Sequence, residues 1–240
     1  SGHQPAYLPW LGYFHKICVS DVFILMDTVK YSRGWINKNK IKDKQTEIQL
    51  SVPVFKEDKE KNINEIRIKK SVSNQNWYTN HINSIFYAYK NSKYFDEVFP
   101  DIDKVLKLKH NFLHELCWDL TEYFMKYLQI NTEIIKMSEK EFSGKKSDLI
   151  LNHALETKSK IVFLGENGKD YIVENDFLEK KILPVYQNYK CNKYRQVSDK
   201  FSEKCSILDL LMNEGTNAKK ILTENNIDKE SIVKIYKSKF

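Results

Sequence analysis

Unbroken or alternating apolar positions along the chain predict its strands. Residues 22–26 (Val-Phe-Ile-Leu-Met) form a continuous apolar run that ends at Asp27, the pattern of a strand covered on both faces. Residues 63–68 alternate apolar and polar side chains, which predicts a half-exposed strand or hairpin. Similar β-type content marks four further segments: 49–54, 132–136, 161–164 and 182–186.

Apolar residues at helical spacing predict the helices. Between Trp77 and Leu128 this spacing predicts two long helices. Shorter helices are expected over 11–18, 146–155, 205–212 and 217–225. Strands that alternate with helices predict an α/β fold, with a mainly parallel sheet flanked by helices, because parallel strands need crossover connections. We expect a single domain over 1–240, with a helical insertion over about 74–130.

Composition and charge narrow the class of protein. The chain has 240 residues, 41% of them hydrophobic, so a substantial core can form without disulfides or metal. The four cysteines are scattered without a C-x-x-C pair, so neither a zinc knuckle nor a dithiol redox motif is expected. A net charge of +7 is compatible with nucleic acid or a phosphate-bearing substrate as partner.

Neither a membrane-spanning stretch nor a secretion signal is visible in the sequence. No apolar run approaches the roughly 20 residues that cross a bilayer. Residues Ser1-Gly2 read as a processed start, and no basic segment precedes an apolar one there. We therefore expect a cytoplasmic protein without membrane insertion.

The densest cluster of chemistry-bearing residues lies at positions 3–16. Two prolines, a glycine, large aromatic rings and two histidines predict a rigid, aromatic-walled loop that leads into a helix N-terminus. Such a terminus can hold a phosphate or carboxylate. His3 can then donate to a leaving phosphate or act as a general base, although a hydrogen bond within the turn explains it equally well. The substrate-binding candidates of this loop are Gln4, Tyr7, Trp10, Tyr13 and Lys16.

Aromatic, amide and basic side chains alternate in a second motif at positions 31–40. This pattern suits stacking on a base or sugar while phosphates are neutralised. A solvated basic hairpin explains the pattern equally well. Lys38 is the catalytic candidate of this motif. Its other candidates are Tyr31, Arg33, Trp35, Asn37, Asn39 and Lys40.

Further candidates follow predicted strands. Asp27 ends an apolar strand, from where a carboxylate can bind Mg²⁺, orient a histidine or accept a proton. A glycine-bearing turn at 165–171 follows a buried strand, where α/β folds commonly place ligands, although a simple strand-to-helix turn is the commoner explanation. The candidates of the turn are Gly165, Glu166, Gly168 and Tyr171. Three later residues could hydrogen-bond a sugar or satisfy loop backbone: Gln187, Tyr189 and Tyr194.

Two other patterns have mainly structural explanations. His110 and His114 lie four apart on a predicted helix, but the H-E-x-x-H pattern is absent and no third ligand is indicated, so no metal site is expected. Asp209 lies inside an apolar helix, where it is either buried with a partner or exposed on the outer face.

The motifs along the whole chain resemble the WbqC-like protein family. The resemblance begins with residues 3–17 and with Trp35-Ile36-Asn37-Lys38-Asn39, and continues with Ser51-Val52-Pro53-Val54. Residues 165–171, 186–189, 194–196 and 206–215 follow in family order. The chain departs from the family pattern at three places: Lys38 replaces an arginine, Leu164 precedes Gly165 where a serine is usual, and Cys191-Asn192 replaces a His-Pro pair.

The resemblance implies cytoplasmic work in gene clusters for O-antigen or related lipopolysaccharide glycans, near genes that make and acylate nucleotide-linked amino sugars. We therefore expect an aminoacyl or acyl transferase or an amide ligase, for example for glycyl transfer, with His3, Asp27 and Lys38 near the reacting groups. The acyl donor would be activated by ATP with Mg²⁺ or supplied as aminoacyl-tRNA. Two alternatives remain: a non-catalytic RNA- or glycan-binding module with stacking rings, and a nucleotidylyltransferase-like enzyme.

Overall fold

The structure is a computed structural model that describes residues 1–32, 34–72 and 75–240. Arg33, a candidate of the second motif, lies outside the described residues. Within those ranges, no helix combines the length and apolarity needed to span a bilayer.

Short strands and helices alternate along the chain. In chain order the strands are β1 (Gly2–His3), β2 (Val22–Leu25), β3 (Lys38–Lys42), β4 (Glu47–Ser51), β5 (Ser71–Val72), β6 (Gln75–Asn76), β7 (Glu133–Lys136), β8 (Ile161–Leu164) and β9 (Leu183–Tyr186). The helices are α1 (Leu11–Cys18), α2 (Trp77–Tyr89), α3 (Phe95–Lys107), α4 (Leu113–Tyr127), α5 (Ser147–Glu156), α6 (Glu174–Glu179), α7 (Ile207–Glu214), α8 (Ala218–Thr223) and α9 (Lys229–Lys239).

The strands confirm a mixed α/β fold, but they do not form one mainly parallel sheet. In the described parts of the chain, β1, β2 and β7 form one parallel sheet in the order β1-β2-β7, and β8 and β9 form a second parallel pair. Strands β3 and β4, and likewise β5 and β6, pair antiparallel. The two parallel sheets approach each other at Ser1, whose Oγ donates to Phe163 O at 2.6 Å.

The central helical segment differs from the expectation of two long helices. Residues 77–127, all of which are described, form the three helices α2, α3 and α4. Lys109 has a φ of 55°, a left-handed conformation that a helix cannot contain, so the chain reverses between α3 and α4. These helices share their core with the N-terminal loop, because Tyr7, Phe14 and Leu116 belong to one buried cluster.

The strand predicted over residues 63–68 is wrong. A 3-10 turn spans Ile63–Glu65, and isolated bridges at Arg67 and Ile68 follow it. The buried carboxylate of Asp58 accepts hydrogen bonds from the Arg67 backbone N–H and guanidinium, at 3.1 and 2.8 Å. These side-chain bonds replace part of a strand ladder and bend the segment around Asp58. Helices α6 and α9 lie outside the predicted segments.

Candidate functional site

A cavity of about 750 Å³ runs along the parallel strands and reaches their carboxyl ends. The residues directly after β1, β2, β8 and β9 all line it: Gln4, Met26, Gly165 and Gln187. Ligands of open α/β sheets bind outside the carboxyl ends of the strands, and a volume of this size suits a small-molecule ligand. This cavity, called the cleft below, is therefore the candidate site.

The N-terminal loop forms one wall of the cleft and is held rigidly from behind. Tyr7 and Leu8 are buried, with the Tyr7 N–H donating to Ile36 O at 2.9 Å. Asn39 Nδ2 donates to Leu8 O at 2.6 Å. Trp10 keeps an extended backbone, and α1 begins at the next residue. The loop therefore presents a fixed surface to the cleft.

His3 lines the cleft with a defined tautomer. Its ring packs edge-on against Trp10 and Tyr13, with centroids 5.1 and 5.2 Å away. Nδ1 lies 3.0 Å from Gln4 O, and because a carbonyl oxygen only accepts, Nδ1 carries the proton. Burial, and then the positive charge of Lys16, lower the pKa of His3 from 6.5 to about 3. His3 is thus neutral near pH 7, and its Nε2 keeps a lone pair.

Lys16 brings a buried positive charge to the same wall. It lies on α1, and its Nζ donates to Gly2 O at 2.9 Å. Burial lowers the pKa of Lys16 from 10.5 to about 8, so most of the amine is protonated near pH 7. The N-terminal wall therefore combines an ammonium group with a neutral imidazole.

The opposite wall is a turn that follows β8. A 3-10 helix spans Glu166–Asp170, and Gly168 within it packs closely beneath Leu164 and Tyr186. A Cβ at Gly168 would lie 3.0 Å from Leu164 Cβ and 3.3 Å from the Tyr186 ring, which explains the glycine. The turn carries carboxylate, amide and phenol groups to the cleft: Glu166, Asn167 and Tyr171.

Gln187 and Tyr189 join this wall to α1. Gln187 Nε2 donates to Gly12 O and to His15 Nδ1, each at 2.9 Å. His15 Nε2 in turn donates to Ile227 O at 3.0 Å, so both nitrogens of this second histidine are engaged in structural hydrogen bonds. The Tyr189 ring covers Gly12. Gln187 therefore supports the cleft as well as lining it.

About half of the substrate-binding candidates from the sequence line the cleft. With the catalytic candidate His3, the structure brings together Gln4, Trp10, Lys16, Gly165, Glu166, Gly168, Tyr171, Gln187 and Tyr189. Tyr7 and Tyr13 are buried in the core beside the loop. Seven further candidates lie outside the lining of the cleft: Asp27, Tyr31, Trp35, Asn37, Lys38, Asn39 and Tyr194.

The second motif packs behind the N-terminal loop. Asn37 accepts a hydrogen bond from Tyr31 OH at 3.0 Å and donates to Val52 O at 2.9 Å, which fixes the start of β3. Trp35 is 51% exposed, and Lys38 is half-buried within β3. The two motifs thus touch each other, but the first supplies the lining of the cleft.

Asp27 and Tyr194 have partners inside the protein. The carboxylate of Asp27 is buried and accepts from Ser138 N at 2.9 Å and Ser138 Oγ at 2.5 Å. Its negative charge also raises the pKa of His114, against the larger lowering caused by burial. Tyr194 OH donates to Asp209 Oδ2 at 2.7 Å. Asp209 is therefore the buried, partnered carboxylate of the two possibilities raised by the sequence.

Helix α5 contributes lining residues that the sequence motifs do not mark. Lys146 stands at its start, and His153 faces the cleft from the apolar side of the helix. His153 is 5% exposed, and its Nε2 has no hydrogen-bond partner among the described residues. A single histidine inside the stripe Leu149, Ile150, Ala154 was the available signal, because polar residues rarely occupy the buried face of a helix.

Comparisons with known proteins place the chain in a family. The model of the WbqC-like protein family matches residues 4–221. A relative from Mycobacterium tuberculosis (strain ATCC 25618 / H37Rv), named Uncharacterized protein Rv1507c, is 28% identical over 218 residues, which cover 90% of this chain and 93% of the relative. No solved structure matches. The match covers the lining of the cleft from Gln4 onward, and the chain belongs to the WbqC-like protein family.

Proposed function

We propose that the protein is a cytoplasmic enzyme of bacterial surface-polysaccharide precursor synthesis, of the O-antigen type. It forms an amide on a nucleotide-linked amino sugar by aminoacyl or acyl transfer, for example of glycine. The family resemblance supports the pathway class, and the chemistry of the cleft supports the reaction class.

The observation that carries the proposal is the neutral His3 at the carboxyl ends of the strands. Amide formation joins the sugar nitrogen to the acyl carbon, breaks the bond from that carbon to its leaving group, and releases a proton from nitrogen. His3 Nε2 has the lone pair to accept this proton, since Nδ1–H is held by Gln4 O. An imidazole held in one tautomer by a second contact is the usual arrangement of a general base.

The remaining groups of the cleft fit a nucleotide sugar. Trp10, Tyr171 and Tyr189 offer aromatic faces to a base or sugar, and Gln4 and Asn167 offer amides to hydroxyl groups. Lys16 supplies a buried positive charge for a diphosphate, and the exposed Lys146 adds a second, more weakly acting one. Among the three catalytic candidates we assign the proton transfer to His3, because Asp27 and Lys38 are absent from the lining formed by the described residues.

Two alternatives make different predictions. A stacking module would need several accessible rings. Tyr13 and Tyr31 are only 0% and 6% exposed, and Trp35, which is 51% exposed, lies outside the lining of the cleft, which favours the enzyme. A nucleotidylyltransferase would use the same cleft but would release pyrophosphate from a nucleoside triphosphate. Product analysis separates these possibilities.

The test is to incubate the protein with UDP- or dTDP-linked amino sugars and search for an increase in sugar mass. One series contains ATP, Mg²⁺ and each amino acid, and a second contains aminoacyl-tRNA. We expect a mass gain equal to one amino acid less water. His3→Gln should lower the rate by a factor of about 10² to 10⁴, the usual contribution of general base catalysis.

The matched control is His110→Gln, because His110 pairs with Asp119 outside the lining of the cleft. This variant should keep the wild-type rate. Full activity in His3→Gln would remove His3 from the mechanism. Pyrophosphate release with no amide product would replace the proposal by the nucleotidylyltransferase, and RNA binding with no turnover would replace it by the binding module.

A further inference from the structure

Lys16 carries a buried positive charge without a countercharge. The side chain is 4% exposed, and its Nζ donates to Gly2 O, an uncharged acceptor. In the described part of the chain, no carboxylate forms an ion pair with Nζ. The three residues outside that part, Arg33, Ser73 and Asn74, carry no acidic group. The charge of Lys16 is thus uncompensated in the protein itself.

A buried ammonium group without a countercharge destabilises the folded protein unless an anion binds beside it. Removing a charge from water is unfavourable, and a nearby opposite charge is what normally offsets the cost. An ammonium has three N–H donors, of which one is used on Gly2 O. Lys16 lines the cleft together with His3 and Trp10.

We propose that Lys16 anchors a phosphate group of the ligand in the cleft. This inference rests on the proposed function for the identity of the ligand, a sugar linked through a diphosphate. An anion at Lys16 also removes one of the two causes that depress the basicity of His3, so substrate binding prepares the base.

Lys146 provides the matched comparison. It lines the same cleft at the start of α5 but is exposed to solvent. An exposed charge is screened by salt and contributes little to binding, whereas a buried charge is screened much less. The two lysines should therefore differ in the size and in the salt dependence of their effects.

The experiment is isothermal titration of inorganic pyrophosphate into the full chain at low salt and at about 0.5 M salt. Lys16→Met should weaken binding by about tenfold to a hundredfold, the range for hydrogen bonds to a charged group. The difference should persist at high salt. Lys146→Gln should weaken binding less than about threefold, and its effect should vanish at high salt.

A stability measurement shows that the effect is not structural. Lys16→Met retains the apolar stem and removes the buried charge, so its midpoint of urea unfolding should equal or exceed that of the wild type. If Lys16 instead served the fold through its bond to Gly2 O, the same variant would unfold at lower urea concentration.

Three results would overturn the inference. These are no pyrophosphate binding by the wild type, equal loss in the Lys16→Met and Lys146→Gln variants, and destabilised Lys16→Met that binds normally. Because inorganic pyrophosphate needs neither an amino sugar nor an acyl donor, the outcome is independent of turnover. Binding at Lys16 without any amide product would leave the subsite standing and reject the proposed reaction.

Discussion

Two regions of the molecule bury polar groups in opposite ways. Around Asp209, called the Asp209 cluster, the fully buried carboxylate accepts from Tyr89 OH at 2.8 Å, Tyr194 OH at 2.7 Å and Gln196 Nε2 at 2.8 Å. Gln196 Oε1 accepts from Ser202 N at 2.8 Å, so the amide is satisfied as well. The cluster ties α2, α7 and the loop between β9 and α7 together.

The cleft contains buried polar groups whose hydrogen bonding is incomplete. Lys16 has one uncharged acceptor, and His153 Nε2 has no partner within the described ranges. Buried polar groups are nearly always satisfied, because an unmade hydrogen bond costs more than a made one contributes. The difference is that the Asp209 cluster is satisfied within the protein, whereas Lys16 and His153 of the cleft keep hydrogen-bonding capacity that a ligand could use.

Removing the centre of the Asp209 cluster should give the largest effect. Asp209→Ala leaves the buried hydroxyl groups of Tyr89 and Tyr194 without an acceptor, whereas Gln196 Nε2 keeps Ser202 O at 2.9 Å. Each orphaned donor costs about 1–3 kcal/mol, so we expect a loss of about 2 kcal/mol or more in the free energy of unfolding, measured by urea denaturation. Lys16→Met in the cleft is the control and should lose nothing. Equal losses in both variants would break the comparison between the regions.

The acid stability should depend on the buried histidine of the cleft. Burial lowers the pKa of His153 from 6.5 to about 4, so between these values the unfolded chain binds a proton that the folded protein refuses. The contribution of neutral His153 to the free energy of unfolding is therefore fully present above pH 6.5 and is lost as the pH falls to about 4. Burial lowers the pKa of His3 and His81 in the same direction.

The matching variant is His153→Leu, compared with the wild type by urea denaturation at pH 7, 6, 5 and 4. Its free energy of unfolding should fall less steeply with acid, by up to about 1.4 kcal/mol per pH unit, the value of one proton. At pH 7 the two proteins should differ by about 1 kcal/mol or less. An unchanged slope would mean that His153 protonates in the folded protein.

The sequence pattern predicts those elements whose apolar residues face one core. Helix α1 and strands β2, β7, β8 and β9 lie within the predicted ranges, because apolar side chains of each pack against a hydrophobic cluster. Residues 63–68 show where pattern fails, since Asp58 captures Arg67 through hydrogen bonds that no local periodicity encodes. The division of the parallel strands between two sheets also depends on long-range contacts.

The candidate site was predictable where motifs directly follow strands. Gln4 and Gly165 reach the cleft because the carboxyl ends of parallel strands converge. The residue types of the second motif predict contact with the ligand. In the structure, the amides of Asn37 and Asn39 instead fix β3 and the N-terminal loop. The sequence signal at His153 is weak, because a single histidine on an apolar helix face is more often a core residue than a binding group.

Trimming the edge of the Asp209 cluster should have a smaller effect than removing its centre. Tyr194→Phe deletes one donor to Asp209 and one acceptor of Gln196, while the ring contact with Phe201 remains. The free energy of unfolding should fall by about 1 kcal/mol. Urea denaturation of Tyr194→Phe beside Asp209→Ala measures this, and a loss as large as that of Asp209→Ala would show that the donors act as one unit.

The smallest effect is expected where α1 meets the wall of the cleft. Gly12→Ala gains about 1 kcal/mol of helix propensity. Its new Cβ would lie 3.2 Å from the Tyr189 ring and 3.3 Å from Trp10 Nε1, closer than ordinary contact. The two effects oppose each other, so the free energy of unfolding should change by less than about 1 kcal/mol, while Trp10 and Tyr189 shift.

Intrinsic tryptophan fluorescence reports the shift of Trp10, and pyrophosphate titration reports its consequence in the cleft. We expect a spectral change with nearly wild-type stability, because the new methyl group would displace two partly buried rings that line the cleft. If Gly12→Ala raised the free energy of unfolding by the full amount of about 1 kcal/mol with an unaltered spectrum, the Tyr189 ring would not be in close contact with α1. The cleft would then be as loosely packed on this wall as it is incompletely hydrogen-bonded.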